Sequence, residues 1–197
     1  MPGKIMPPKM KHTAHGENSK AFPVIGIGAS AGGLEALRDF FVHLPAPSEC
    51  AFVVIVHLPH DHISLLPELL QRQTEIPVLT IEDGMAIAPN HIYVVPPGKD
   101  LSVFKNCFQL LDAVQGPGLH LPIDFFPQAL AREKQSYAGC VILSGTGSDG
   151  TQGLKAIKAE GGVALVRDEA SARRDPAPIF LETGQDSLAQ SRTAEAV

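Results

Sequence analysis

A chain of 197 residues with 44% hydrophobic and 19% charged side chains has the size and composition of one globular domain, which excludes a disordered or fibrous protein. The net charge of −5, without any Lys/Arg stripe, excludes electrostatic capture of nucleic acid. No apolar run approaches the ~20 residues of a membrane helix, no signal-peptide segment opens the chain, and Cys50, Cys107 and Cys140 are too scattered for a disulfide framework or a cysteine zinc site. The expected setting is a reducing cytoplasm, with the cysteines as small core hydrophobes.

In chain order, residues 1–20, rich in Pro, Lys and His, read as a flexible tail. Val24–Ile27 reads as a strand and Gly33–His43 as a helix, joined by a tight Gly/Ala/Ser turn. Ala51–Val56 is an apolar run typical of a parallel strand covered on both faces. Ser64–Arg72 is helical, with Leu65, Leu66, Leu69 and Leu70 on one side, and Val78–Ile81 is another short strand. Between Met85 and Leu111 the texture changes. There His91–Val95, Leu101–Phe104 and Phe108–Leu111, separated by Pro-Pro-Gly and Lys-Asn-Cys, read as antiparallel hairpins inserted in the sheet. Helix Pro127–Lys134, strand Gly139–Leu143, a glycine-rich turn, helix Thr151–Glu160 and strand Val163–Val166 follow. Strands alternating with helices at this spacing predict a single α/β domain with a doubly wound, mostly parallel sheet.

Ligands of such sheets bind beyond the carboxyl ends of the strands. Three loops there carry reactive residues: Ser30 after the first strand, His57 after the second, and Asp149 just past the strand ending at Leu143. The turn around Ser30 leaves backbone N–H groups at a helix N-terminus, which suit a phosphate or the oxyanion of an ester under attack. Gly26, Gly28 and Ala31 fit a dinucleotide-binding pattern, but the second strand ends in His57 where a ribose-binding acid is expected. His57, His60, Asp61 and His62, completed by His91 or His120, read as a metal cluster, although Pro59 leaves no regular element to aim them. The third reading is a triad. A serine hydroxyl needs an imidazole to take its proton, and the imidazole needs a carboxylate to fix its tautomer. Ser30, His57 and Asp149 have those types, with backbone donors at Ala31, Gly32 or Gly33. The structural alternatives are a helix cap for Ser30, a loop histidine for His57, and a cap of the helix from Thr151 for Asp149.

Several motifs in one order add to this. Ile-Gly-Ala-Ser-Ala-Gly-Gly at 27–33, His-Leu-Pro at 57–59 and Ala-Pro-Asn-His-Ile-Tyr-Val-Val-Pro-Pro-Gly at 88–98 are followed by Leu-Pro-Ile-Asp at 121–124, Leu-Ser-Gly-Thr-Gly-Ser-Asp-Gly-Thr-Gln-Gly at 143–153 and Arg-Asp-Glu-Ala-Ser at 167–171. The chain from about Phe22 to Ala172 resembles the catalytic domain of the chemotaxis protein-glutamate methylesterases. The resemblance implies Ser30 as nucleophile, His57 as base and Asp149 as orienting acid, with oxyanion donors at Ala31, Gly32 and Thr146. It implies hydrolysis of γ-glutamyl methyl esters on the cytoplasmic helices of chemoreceptors, deamidation of glutamines in some members, and no metal or organic cofactor. Ala31 stands where the receptor-linked enzymes usually carry Thr, and Thr146 where they carry Met. These variants resemble domains fused to methyltransferase and sensor modules, so a methyltransferase module is a further expected partner. Twenty tail residues are too few for the family's N-terminal receiver domain. After Ser171 the family continues through a Gly-Met-Pro turn, a helix and a last strand, whereas here Arg173 opens a divergent segment to Val197. The expected division is thus a tail at 1–20, a catalytic domain at 21–172 and a divergent segment at 173–197. A non-catalytic regulatory module with the same fold is the competing expectation.

Overall fold

The apolar run Val24–Ala29 forms strand β1, with every residue buried at the middle of a sheet. The computed structural model describes residues 21–30, 33–56, 65–113, 121–144 and 149–167. The expected tail at 1–20 and the divergent segment at 173–197 lie outside them.

The main sheet has six strands in the order β3-β4-β2-β1-β7-β8, and all its pairs are parallel. They are β1, β2 (Ala51–Val56), β3 (Val78–Thr80), β4 (His91–Val94), β7 (Ala138–Ser144) and β8 (Val163–Val166). A separate antiparallel pair, β5 (Lys99–Phe104) and β6 (Cys107–Asp112), stands beside it. Helices α1 (Leu34–Val42) and α2 (Leu66–Gln71) cover one face, and α3 (Pro122–Lys134) and α4 (Thr151–Ala159) the other. Alternate residues of each strand supply the two cores. Ile25, Ile27, Phe52 and Val54 face α1 and α2, whereas Val24, Val53, Ile55 and Cys140 face α3 and α4. The doubly wound α/β fold read from the sequence is the fold observed.

Three expectations change in detail. His91–Val95 is not part of a hairpin: β4 lies between β2 and β3, parallel to both. The hairpin is confined to β5 and β6 and forms its own small sheet. Helix α3 begins at Pro122 rather than Pro127. Pro122 occupies the first turn, where its missing N–H costs nothing. Pro127 is tolerated inside the helix, leaving the Ile123 carbonyl without its usual donor on the side that faces Gly153 of α4. Finally, Leu66 and Leu70 are buried but Leu65 and Leu69 are exposed. One step round a helix is about 100°, enough to turn the second pair away from the core.

The glycines of β1 set the distance between the sheet and α3. A Cβ on Gly26 would stand 3.3 Å from the Phe126 ring. One on Gly28 would collide with Ile123 Cγ2 and lie 2.9 Å from Ile142 Cδ1. These two glycines, which opened the dinucleotide reading, serve helix packing. On the other face, Phe40, Phe41 and Phe52 pack edge to face with centroids 5.3–6.4 Å apart.

Gly28→Ala is expected to cost about 1–3 kcal/mol through this overpacking. Its urea-unfolding midpoint should fall, and adding Ile123→Ala to it should cost less than Ile123→Ala alone. Burial, and secondarily the charge of Asp124, push the Cys140 thiol up to about 12. Cys140 should therefore stay unmodified by DTNB at pH 8 in the native protein and react once the chain is unfolded, whereas the half-buried Cys107 reacts without unfolding.

Candidate active site

In this sheet order the chain leaves β1 towards β2 on one side and reaches β7 on the other. The carboxyl ends of β1 and β7 therefore form the switch point at which doubly wound sheets bind ligands. Ala29, the last residue of β1, is level with Val56 of β2 and with Ser144 of β7. The register on the β7 side slips between Gly28 and Ala29, so that Leu143 is passed over. Such irregularities at a strand end re-aim the chain that follows.

Ser30 follows Ala29 directly and is half-buried. Its carbonyl accepts the Gly33 N–H at 2.8 Å, closing the turn that leads to α1. Gly33 is the N-cap of that helix, so Ser30 stands three residues before it, on the turn itself.

Asp149 is half-buried, and its carboxylate meets the first turn of α3. The Asp124 N–H donates to Asp149 Oδ1 at 2.8 Å, and the Ile123 N–H donates to Asp149 Oδ2 at 3.3 Å. Both amides lie in the first turn, where the helix dipole favours a negative charge, and the Asp124 N–H is shared with the Leu121 carbonyl at 3.1 Å. Asp149 thus caps α3.

A second carboxylate belongs to this arrangement and was not among the residues singled out for chemistry. Asp124, in the first turn of α3, is buried, and its Oδ1 accepts the Gly153 N–H of α4 at 2.7 Å. The sequence held only its position after Leu-Pro; its partner lies 29 residues away. The contact depends on Gly153. A Cβ there would lie 2.9 Å from Pro127 Cβ and 3.1 Å from the Ile123 carbonyl oxygen. Gly150, just after Asp149, has φ +102°, and its Cβ would stand 2.9 Å from Ile142 Cδ1. Only glycine takes that turn without strain.

Of the expected triad, Ser30 and Asp149 are described, and both follow strands at the switch point. His57 lies outside the described residues, as do the expected oxyanion donors Ala31, Gly32 and Thr146. So do His60, Asp61, His62 and His120 of the metal reading. Its remaining member, His91, has Nδ1 2.9 Å from the Pro89 carbonyl oxygen, and its ring stacks on Tyr93 at 5.8 Å. Among the described residues no group of three His, Cys, Asp or Glu could hold a metal, and no helix is long and apolar enough to cross a membrane.

The family model for the CheB methylesterase matches residues 25–185. The chain belongs to that family. The protein-glutamate methylesterase/protein-glutamine glutaminase 2 of Xanthomonas oryzae pv. oryzae is 36% identical over 153 residues, 76% of this chain and 42% of the relative. A counterpart from Geobacter sulfurreducens is 31% identical over 157 residues, 77% of this chain and 43% of the relative. A 104.1 kDa protein of Rhodobacter capsulatus is 40% identical over 113 residues, which are 57% of this chain and 12% of the relative. Among solved structures, the CheB methylesterase catalytic domain of Thermotoga maritima superposes with a TM-score of 0.68 at 28% identity, covering 76% of this chain and 82% of that one. The chain therefore spans about two fifths of the methylesterase relatives' length (42% of the Xanthomonas protein) and most of the solved catalytic domain.

Asp149→Ala removes the acceptor for two α3 amides and should lower unfolding stability by about 1.5–3 kcal/mol, the range for hydrogen bonds to a charged group. Urea denaturation measures it. Asp149→Asn, which sets an NH₂ against one of the two donors, should recover no more than half.

Proposed function

We propose that this chain is a serine hydrolase that demethylates γ-glutamyl methyl esters on the cytoplasmic helices of a chemoreceptor or a similar sensory protein. The observation that carries the reading is the register of Ala29 with both Val56 and Ser144. It sets Ser30 between the strands that lead to His57 and Asp149. The ordered motifs and the names of the relatives supply the substrate class.

The chemistry follows from residue types. Ser30 Oγ attacks the ester carbonyl while His57 takes its proton, and Asp149 holds the imidazole in the tautomer that does so. Charge that develops on the carbonyl oxygen is met by backbone N–H groups of Ala31, Gly32 and Thr146. A backbone donor does not depend on its side chain, so alanine at 31 and threonine at 146 leave this stabilisation in place. His57 then returns the proton to the leaving methoxide, and methanol departs. Water, activated by His57, cleaves the acyl-enzyme to release glutamate and regenerate the serine. With a glutaminyl side chain the same steps release ammonia, the second activity in the relatives' names. No cofactor enters. The expected setting is the cytoplasm, beside the receptor helices and a methyltransferase module that supplies the ester.

One observation favours a second reading, a regulatory module without catalysis. The Asp149 carboxylate accepts the Ile123 and Asp124 amides, as a helix cap does. Labelling separates the two readings. A serine-reactive phosphonate should form an adduct on Ser30 in the hydrolase and none in the module.

Methanol release from methylated receptor cytoplasmic fragments should fall by about a thousandfold or more in Ser30→Ala. The melting temperature should stay within a few degrees of wild type, since a half-buried hydroxyl is removed. Release that persists in Ser30→Ala sinks the proposal.

A further inference from the structure

The geometry points to Asp124 as the positioning residue of the site: it holds the Asp149 carboxylate in place by tying together the N-termini of α3 and α4. The inference rests on the reading of Asp149 as the triad carboxylate and extends it to a residue outside the triad.

The two aspartates cap each other's helices. Asp149 precedes α4 and accepts amides of α3 at 2.8 and 3.3 Å. Asp124 lies in α3 and accepts an amide of α4 at 2.7 Å. The result is a closed ring. It runs from the Asp124 N–H to Asp149 Oδ1, along the chain from Asp149 to Gly153, and from the Gly153 N–H back to Asp124 Oδ1. Neither helix can slide or turn at its start without stretching one of these bonds. The ring also fixes where the Asp149 carboxylate stands relative to β1, because Ile123 of α3 is seated on Gly28, beside Ile142 of β7.

Asp124 is 4% exposed, and a carboxylate buried that far costs stability unless it is fully hydrogen-bonded. A residue retained only to fill this space would be apolar, an exchange that is often neutral or favourable for stability. What an apolar side chain cannot do is accept the Gly153 N–H. The charge is also felt at β7, where Asp124 contributes, after burial, to raising the Cys140 thiol.

The same methanol-release assay tests this, with pH profiles of kcat/KM taken well below the melting temperature. Asp124→Ala should lower kcat about 10- to 100-fold with KM little changed, because misplacing a catalytic group by an ångström has that effect. The acid limb of the profile should move to lower pH by about half a unit or more. A carboxylate out of place stabilises the imidazolium less, and the base then loses its proton at lower pH. Asp124→Asn keeps an Oδ1 acceptor and should restore both kcat and the limb. Leu130→Ala, a fully buried position of the same helix, serves as the destabilised control and should leave the limb where it is. If Asp124→Ala does not fold, Asp124→Ser, whose oxygen lies one bond shorter, takes its place with the same expectations. Release lost in Ser30→Ala but unchanged in rate and pH profile in the Asp124 variant overturns this inference alone. A limb shifted as much by Leu130→Ala overturns it as well. Release that survives Ser30→Ala overturns it together with the proposed function.

Discussion

The edge of the sheet that carries the candidate site hangs on one close contact, the seating of Ile123 in the space that a side chain on residue 28 would occupy. Through it the first turn of α3 reaches the end of β1, and from there its amides meet Asp149. The same approach brings α3 within hydrogen-bonding distance of α4, because position 153 has no side chain to hold the helices apart. Three glycines, at 28, 150 and 153, surround this contact. They act by omission: each removes the atom that would push an element out of line.

Much of the architecture is legible in the sequence. Ala51–Val56 announces a strand buried on both faces, and Gly33–His43 and Thr151–Glu160 carry the period of helices packed on one side. Ser30 stood out because a strand, a small-residue turn and a helix follow one another without a gap. Asp149 stood out from a glycine-rich turn in the same setting. What could not be read depended on partners distant in sequence. The direction of β4 is set by β2 and β3 on either side, and the four residues His91–Val94 carry no information about direction. The start of α3 was obscured because two prolines compete for the first turn, and tertiary packing, not propensity, decides which one stands inside the helix. Asp124 was overlooked because a first-turn acid is commonplace, and its partner Gly153 belongs to another element.

The two glycines of β1 show how one pattern arises from different physics. In a dinucleotide-binding turn, glycines let the backbone approach a pyrophosphate. Here Gly26 and Gly28 lie within the strand, and what approaches them is Phe126 and Ile123 of a helix on the sheet's face. The spacing is the same because both cases ask for a strand with bare positions on one side. The turn beyond is then left to Ser30.

The hairpin of β5 and β6 forms its own sheet, packed through Leu101, Val103 and Phe108 into the core that α3 shares. At its tip, the Asn106 side chain accepts from Lys134 Nζ at 2.5 Å and donates to the Ile87 carbonyl at 2.8 Å, while its backbone N–H donates to Glu133 Oε1 at 3.2 Å. Glu133 and Lys134 close α3, whose opposite end touches Asp149, and a helix of this length spans about 20 Å. Lys105, exposed beside Asn106, is therefore an attachment point for a fluorophore or a tether, far enough from Ser30 to report on the molecule without entering its chemistry.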